Sequence, residues 1–314
     1  MAKKKKTLKN HWEDAPDFIK LKKRLSYLRD NRQKIISDTN LYFHEKKNQH
    51  EIVYYYQSVR DGSSDGSDLF NRYHQLISRT HIEQLPYFVS KDLYLYTWVD
   101  LHPDGTVKSI YSGDKRNPED LIHEDFEIIK ERYQGFQEFL RKIKQNEFES
   151  FRELKAFERA LKLNTEHIVP QSWFGAVEPM KGDLHHLFVC EPACNIARSN
   201  FPYDDFTFYQ PETPNEPIQN LCGVAVYGRF EPENGKGIVA RSMLYFILRY
   251  PKAIKKSFRT QINIPLLIRW HKEFPVSLYE KHRNQTIYQI QGNRNPFIDY
   301  PELVEKLEFP DYSC

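Results

Sequence analysis

The chain has no run of 18 apolar residues, and its mean hydropathy is −0.72, so nothing in it reads as a membrane span. It opens with a basic stretch, Met1-Ala2-Lys3-Lys4-Lys5-Lys6, but the apolar segment of a secretory signal does not follow; Asn10-His11-Trp12-Glu13-Asp14 does. A cytoplasmic location is therefore expected, with a non-standard export route as the alternative. Cysteine is scarce: residues 190, 194, 222 and 314 are the four in 314 positions, too few for a disulfide scaffold. Buried thiols are expected, with a disulfide or a zinc site among Cys190, Cys194 and Cys222 as alternatives; their spacing is not that of a zinc ribbon. Repeats are absent, and low complexity is confined to the lysines. The hydrophobic share is 39%, yet 21 Phe and 20 Tyr can supply a core. This length suits one large domain or two ordinary ones.

The net charge of +3 conceals a strong asymmetry. Residues 1–36 hold 12 Lys and Arg against 4 Asp and Glu, and residues 229–294 hold 13 against 4. The stretch between them, 37–228, is acidic, with 20 against 30. Basic blocks beside an acidic middle suit a polyanionic partner. The bland alternative is a set of solvated or structural cations, since arginine often serves in ion pairs.

Residues 1–36 read as a basic tail running into a helix, with Phe18, Leu21, Leu25 and Leu28 at helical spacing. Gly62-Ser63-Ser64-Asp65-Gly66-Ser67 reads as a loop. It supports dividing the chain into a basic, partly helical extension (1–85) and a main domain (86–314). Asp92 to Val99 is aromatic and β-branched; with the turn His102-Pro103-Asp104-Gly105 and the segment Thr106 to Tyr111 it reads as a β-hairpin. A helical pattern starts near Asn117-Pro118 and continues to about Lys162. Ala240 to Tyr250 reads as a buried helix ended by Pro251. Ile264 to Lys272 and Ser277 to about Ile290 read as further helices, and 291–296 as a turn.

The chemistry concentrates in 35 residues. The run Leu163-Asn164-Thr165-Glu166-His167-Ile168-Val169-Pro170 ends a short strand, since Pro170 cannot continue a central one. Asp183-Leu184-His185-His186-Leu187-Phe188-Val189 reads as a second strand. Pro192 to Ser199 then opens a helix on which Asn195 and Arg198 share a face. A phosphodiester resists attack because of its charge and its poor leaving group, and a divalent cation relieves both. Glu166 and the Asn195 side-chain oxygen are hard donors of the kind Mg²⁺ takes. That leaves His167 as a base of suitable basicity near neutral pH. Arg198 could pair with a phosphate. Taken singly, each residue has an ordinary explanation: a core histidine, a cap, a surface ion pair. In a regular strand Glu166 and His167 would also face opposite ways. One of His185 and His186 is expected to pack inward.

The ordered set resembles the endonuclease I family, nucleases with a ββα-metal (His-Me finger) active site. The resemblance rests on Glu166-His167-Ile168-Val169-Pro170-Gln171-Ser172-Trp173-Phe174, Asp183-Leu184-His185-His186-Leu187 and Asn195-Ile196-Ala197-Arg198-Ser199-Asn200. Gly237-Ile238-Val239-Ala240-Arg241, Gln291-Gly292-Asn293-Arg294-Asn295-Pro296-Phe297 and Ile110-Tyr111-Ser112-Gly113 extend it over roughly 88–300. It implies an α+β fold in which surrounding helices enclose a ββα-metal core and a β-hairpin. It implies His167 as general base and one Mg²⁺ on Glu166 and Asn195, with Mn²⁺ or Ca²⁺ as alternatives. The implied substrate is DNA, with RNA a second one, cut with little sequence preference to 5′-phosphate ends. Periplasmic relatives carry an arginine between the two strands that holds the product phosphate; here that interval has none. Arg198 or Arg241, with His185 nearby, are the candidate substitutes. Control by residues 1–85 or by an inhibitory partner is a further expectation, and a binding protein without catalysis is the rival reading.

Overall fold

The computed structural model describes residues 16–60, 65–144, 163–209 and 222–310. The lysine run at 3–6, residues 62–64 of the Gly/Ser loop, the helical pattern beyond 144 and Cys314 lie outside them. The described architecture is mixed, with many helices and three small antiparallel strand pairs, compatible with the α+β expectation.

Two apolar cores flank the central strand pair. In the first, helix α1 (Pro16–Ser37) lays Leu21, Leu28 and Ile35, seven apart along one stripe, against its neighbours. Those neighbours are Leu95, Tyr96 and Val99, and Leu121 and Ile122. The second core packs Ile52 and Tyr55 of α2 (Glu45–Tyr55) and Phe70, Tyr73, Leu76 and Ile77 of α3 (Gly66–Thr80). It is completed by the buried helices described below. The described part of the expected extension contributes side chains to both cores. Amphipathic stripes of this kind are stable only against a partner surface.

The hairpin expected over 92–111 is shifted and partly helical. Ser90–Val99 (α4) is a wide helical segment of π type, closed by a hydrogen bond from Asp100 N to Leu95 O at 2.9 Å. Leu95, Tyr96 and Val99 fall on one helical face and are buried, so packing overrides the β-rich composition. The turn at 102–105 does form, with Gly105 at φ 72° and its N–H bonded to His102 O at 2.8 Å. The strands that pair are β1 (Val107–Lys108) and β2 (Lys115–Arg116).

Helix α5 (Pro118–Lys144) leads toward β3 (Thr165–His167), which pairs antiparallel with β4 (Leu187–Val189). Only 187–189 of the expected second strand is extended; Leu184–His186 forms a tight turn capped by Asp183, whose side chain accepts from His185 N. Strand alternation sends Leu187 and Val189 into the first core and Phe188 into the second. Helix α6 (Pro192–Arg198) follows, with Pro192 in its first turn. The pair β5 (Gly223–Val226) and β6 (Arg229–Pro232) comes next. Helices α7 (Lys236–Arg249), α8 (Ile264–Glu273) and α9 (Leu278–Gln291) close the body. All three match the expected helices. A capping box of Ser277 and Glu280 starts α9, and Gly292 in the left-handed region ends it. In α7, Val239 to Leu248 is buried throughout, each large apolar side chain contributing roughly 1.5–3 kcal/mol.

Candidate active site

Strand β3 is fixed at its start by a buried polar cluster. Asp125 of α5 accepts from Asn164 N (3.1 Å), Lys91 Nζ (2.8 Å) and the Tyr96 hydroxyl (2.8 Å). The Tyr96 hydroxyl in turn lies 2.6 Å from Thr165 Oγ1. At its other end Pro170 stops the pairing, and the helical turn Gln171–Phe174 begins. Trp173 is fully buried there and donates its indole N–H to Asn200 O at 3.0 Å. Asn195 donates its amide N–H to Thr165 O at 2.8 Å, which ties α6 to β3. Strand, strand and helix thus form one unit.

A cleft of about 840 Å³ opens over this unit, and Glu166, His167, Gln171, Lys181, Asn195 and Arg198 line it. Glu166 and His167 reach the same cleft because pairing ends at His167, where the chain bends through Ile168 and Val169. Glu166 is buried, and its Oε1 accepts from the Tyr111 hydroxyl at 3.0 Å and lies 3.4 Å from Arg198 Nη1. The amide nitrogen of Asn195 is committed to Thr165, so its oxygen is the atom left for a ligand role. Among the described residues no three His, Cys, Asp or Glu side chains converge as a metal cage. One carboxylate and one amide oxygen are a hard, sparse donor set; it fits a hydrated Mg²⁺-type ion and not structural zinc.

His167 is held on both ring nitrogens. Its Nε2 lies 2.9 Å from Lys181 O, and its Nδ1 lies 3.2 Å from Gln171 Nε2. A carbonyl only accepts, so the hydrogen is on Nε2 and Nδ1 carries the lone pair. Burial holds the imidazole well below its usual range, reinforced by His186, whose ring centroid is 5.4 Å away. The segment that carries Lys181 is tied on either side: Ser90 Oγ donates to Gly182 O at 2.6 Å, and Glu178 accepts from Tyr87 N at 2.8 Å. Gly182 is required here, since a Cβ would lie 1.9 Å from Leu85 O.

The other expected residues divide. Arg198 lines the cleft but is buried, with its guanidinium donating to Ile168 O (2.7 Å) and Ser199 O (3.3 Å) beside Glu166. Its geometry is that of a brace for the carboxylate. Arg241 is away from the cleft: it pairs with Glu280 and donates to Phe274 O, all in the interior. His185 is also buried, its Nε2 3.3 Å from Asn293 O, and does not line the cleft. The wider expectation of a basic face over 229–294 is corrected in the same way. Arg241, Arg249, Arg283 and Arg294 are buried; Arg283 pairs with Asp100 and Arg294 with Asp299. Lys252, Lys255 and Lys256 are exposed, and Lys255 donates to Ser172 O at the cleft wall at 2.8 Å.

Sequence reasoning passed over Tyr111, Gln171 and Lys181. The first two lie inside the motifs quoted above, and Lys181 lies in the interval searched only for arginine. Lys181 makes no ion pair with any described residue, and its Nζ sits 5.1 Å from the Tyr87 ring centroid. The thiol expectation is also corrected. Cys194 and Cys222 form a disulfide joining α6 to the edge of β5, while Cys190 is a buried free thiol.

The Endonuclease I family model matches residues 65–302. The chain belongs to the endonuclease I family. An extracellular ribonuclease of Bacillus amyloliquefaciens is 31% identical over 46% of this chain and 53% of its own length. An extracellular deoxyribonuclease of Aeromonas hydrophila is 28% identical over 46% of this chain and 69% of its own. A periplasmic deoxyribonuclease of the same organism is 28% identical over 46% and 66%. The match thus spans about half the length of the Bacillus relative. These relatives are named extracellular or periplasmic, which overturns the cytoplasmic expectation; the Cys194–Cys222 bond is of the kind that oxidising compartments sustain.

Proposed function

We propose that the protein is a metal-dependent endonuclease that hydrolyses phosphodiester bonds of DNA and RNA, with little base preference and 5′-phosphate products. The observation that carries this reading is the convergence of Glu166, Asn195 and the His167 Nδ1 lone pair on one cleft. In this reading strand β3, strand β4 and helix α6 are a ββα-metal core. A divalent cation held by Glu166 and Asn195 would neutralise phosphate charge and stabilise the leaving oxygen. His167 Nδ1 takes a proton from the attacking water, while Lys181 O holds the ring in its working tautomer. Tyr111 and Arg198 hold the Glu166 carboxylate in place. Lys181, whose ammonium lies over the Tyr87 ring at the cleft, meets the phosphate in place of Arg198 or Arg241. The exposed lysines 252, 255 and 256 continue the path of the backbone, so contacts are to phosphates and binding weakens with salt.

The test is plasmid nicking and RNA cleavage with Mg²⁺, with and without chelator. His167→Ala should keep its fold and DNA affinity and lose turnover by roughly 10²–10⁴-fold. Wild-type cleavage by that variant, or activity indifferent to chelator, would end the reading.

A further inference from the structure

We propose that Gln171 is a positioning residue for the nucleophile: its amide keeps the place beside His167 Nδ1 that the attacking water takes, then orients that water. This rests on the nuclease reading above. The hydrogen of the neutral imidazole is on Nε2, because that atom faces the Lys181 carbonyl at 2.9 Å. Nδ1 is therefore the basic atom, and it faces Gln171 Nε2 at 3.2 Å. Only the NH₂ half of the amide can donate to a lone pair, so the amide's orientation is set as well. A water giving its proton to Nδ1 must come within about 2.6–3.2 Å. The Gln171 nitrogen occupies that shell, and one lone pair does not accept two well-aligned donors. Gln171 must give way before the base can act.

The side chain is built to do so without leaving. Gln171 lines the cleft, is half-buried and begins the short helical turn after Pro170. Its backbone is held, with the carbonyl accepting from Ala176 N at 2.9 Å and the turn anchored by buried Trp173. Rotation about its own torsions moves the amide by about one water diameter and turns its oxygen inward. The water then donates one hydrogen to Nδ1 and the other to the Gln171 oxygen, leaving a lone pair for phosphorus. No other described hydrogen bond involves the Gln171 amide, so nothing else is broken.

The experiment is a double-mutant cycle on the full chain, reading kcat, KM, DNA affinity and thermal midpoint. Gln171→Ala and the isosteric Gln171→Met should both lower kcat roughly 10- to 100-fold, the scale of a misplaced reacting group, with KM and DNA affinity unchanged. In the His167→Ala background the same changes should cost nothing further, because the water has no base to face. A wild-type kcat in Gln171→Met, or losses that multiply with His167→Ala, would overturn the proposal. If Gln171→Ala fails to fold, Gln171→Met still decides. A wild-type protein that cleaves nothing would instead remove the nuclease reading itself.

Discussion

Arg241→Met should lower the stability of this protein by about 3–5 kcal/mol while leaving the intrinsic turnover of the folded molecule unchanged. The guanidinium meets Glu280 in a bidentate pair, Nε to Oε1 at 2.5 Å and Nη2 to Oε2 at 3.0 Å. Its third nitrogen donates to the carbonyls of Phe274 (2.8 Å) and His271 (3.3 Å) at the end of α8. One side chain on α7 thus joins the end of α8 to the start of α9, with both partners buried. Gly237 makes room for it: a Cβ there would lie 2.6 Å from Arg241 Nη2. Methionine fills much of the volume but leaves the Glu280 carboxylate buried with only the Ser277 contacts. Breaking one side of a buried pair is costly because the remaining charge stays desolvated. At about 2–4 °C per kcal/mol for a large domain, the thermal midpoint should fall by about 6–20 °C. The assay is thermal unfolding beside cleavage measured well below the variant's midpoint. Adding Glu280→Met should restore part of the loss, because no charge is then stranded. An unchanged midpoint with weakened DNA binding would refute the reasoning and return Arg241 to the substrate.

Lys181→Met should weaken DNA binding and reduce the salt slope by about 0.9, the value for one phosphate contact on duplex DNA; an unchanged slope would count against that contact. Burial pushes His185 to about 4, against 6.5 for an ordinary histidine. The unfolded chain therefore binds a proton between pH 6.5 and 4 that the native one refuses, so stability is lost as pH falls through that window. At pH 5 the loss is about 2 kcal/mol, and urea midpoints flat from pH 6.5 to 5 would contradict it. Reducing the Cys194–Cys222 bond, which closes a separation of 28 residues, should cost about 3–4 kcal/mol. A thermal midpoint indifferent to reductant would show that the loop is constrained by other means.

The helices α7, α8 and α9 were legible because their apolar spacing, caps and stops agree with one another. The run 92–99 was not, because its residues satisfy a strand composition and a helical face together, and only the surfaces packed on it, those of α1, α5, α9 and β4, select the helix. How α1 packs was hard to read for a related reason: high local charge hides the sparse stripe of Leu21, Leu28 and Ile35 that packs inward. The disulfide was weighed only as an alternative, since pairing depends on where β5 lies relative to α6.

The sequence by itself determined the type and order of the groups in the cleft. Glu166, His167, Asn195 and Arg198 lie on short local elements whose ends are set by Pro170 and Pro192. Covalent order suffices there, because neighbours in sequence remain neighbours in space. Only the tertiary structure decided which cations face the solvent. Arg241 is neutralised by a carboxylate 39 residues away and Arg294 is held by Asn48 from 246 residues away, whereas Lys181 keeps its ammonium at the cleft. The formal charge of an arginine is written in the chain. Whether that charge is satisfied inside depends on a partner that only folding brings near.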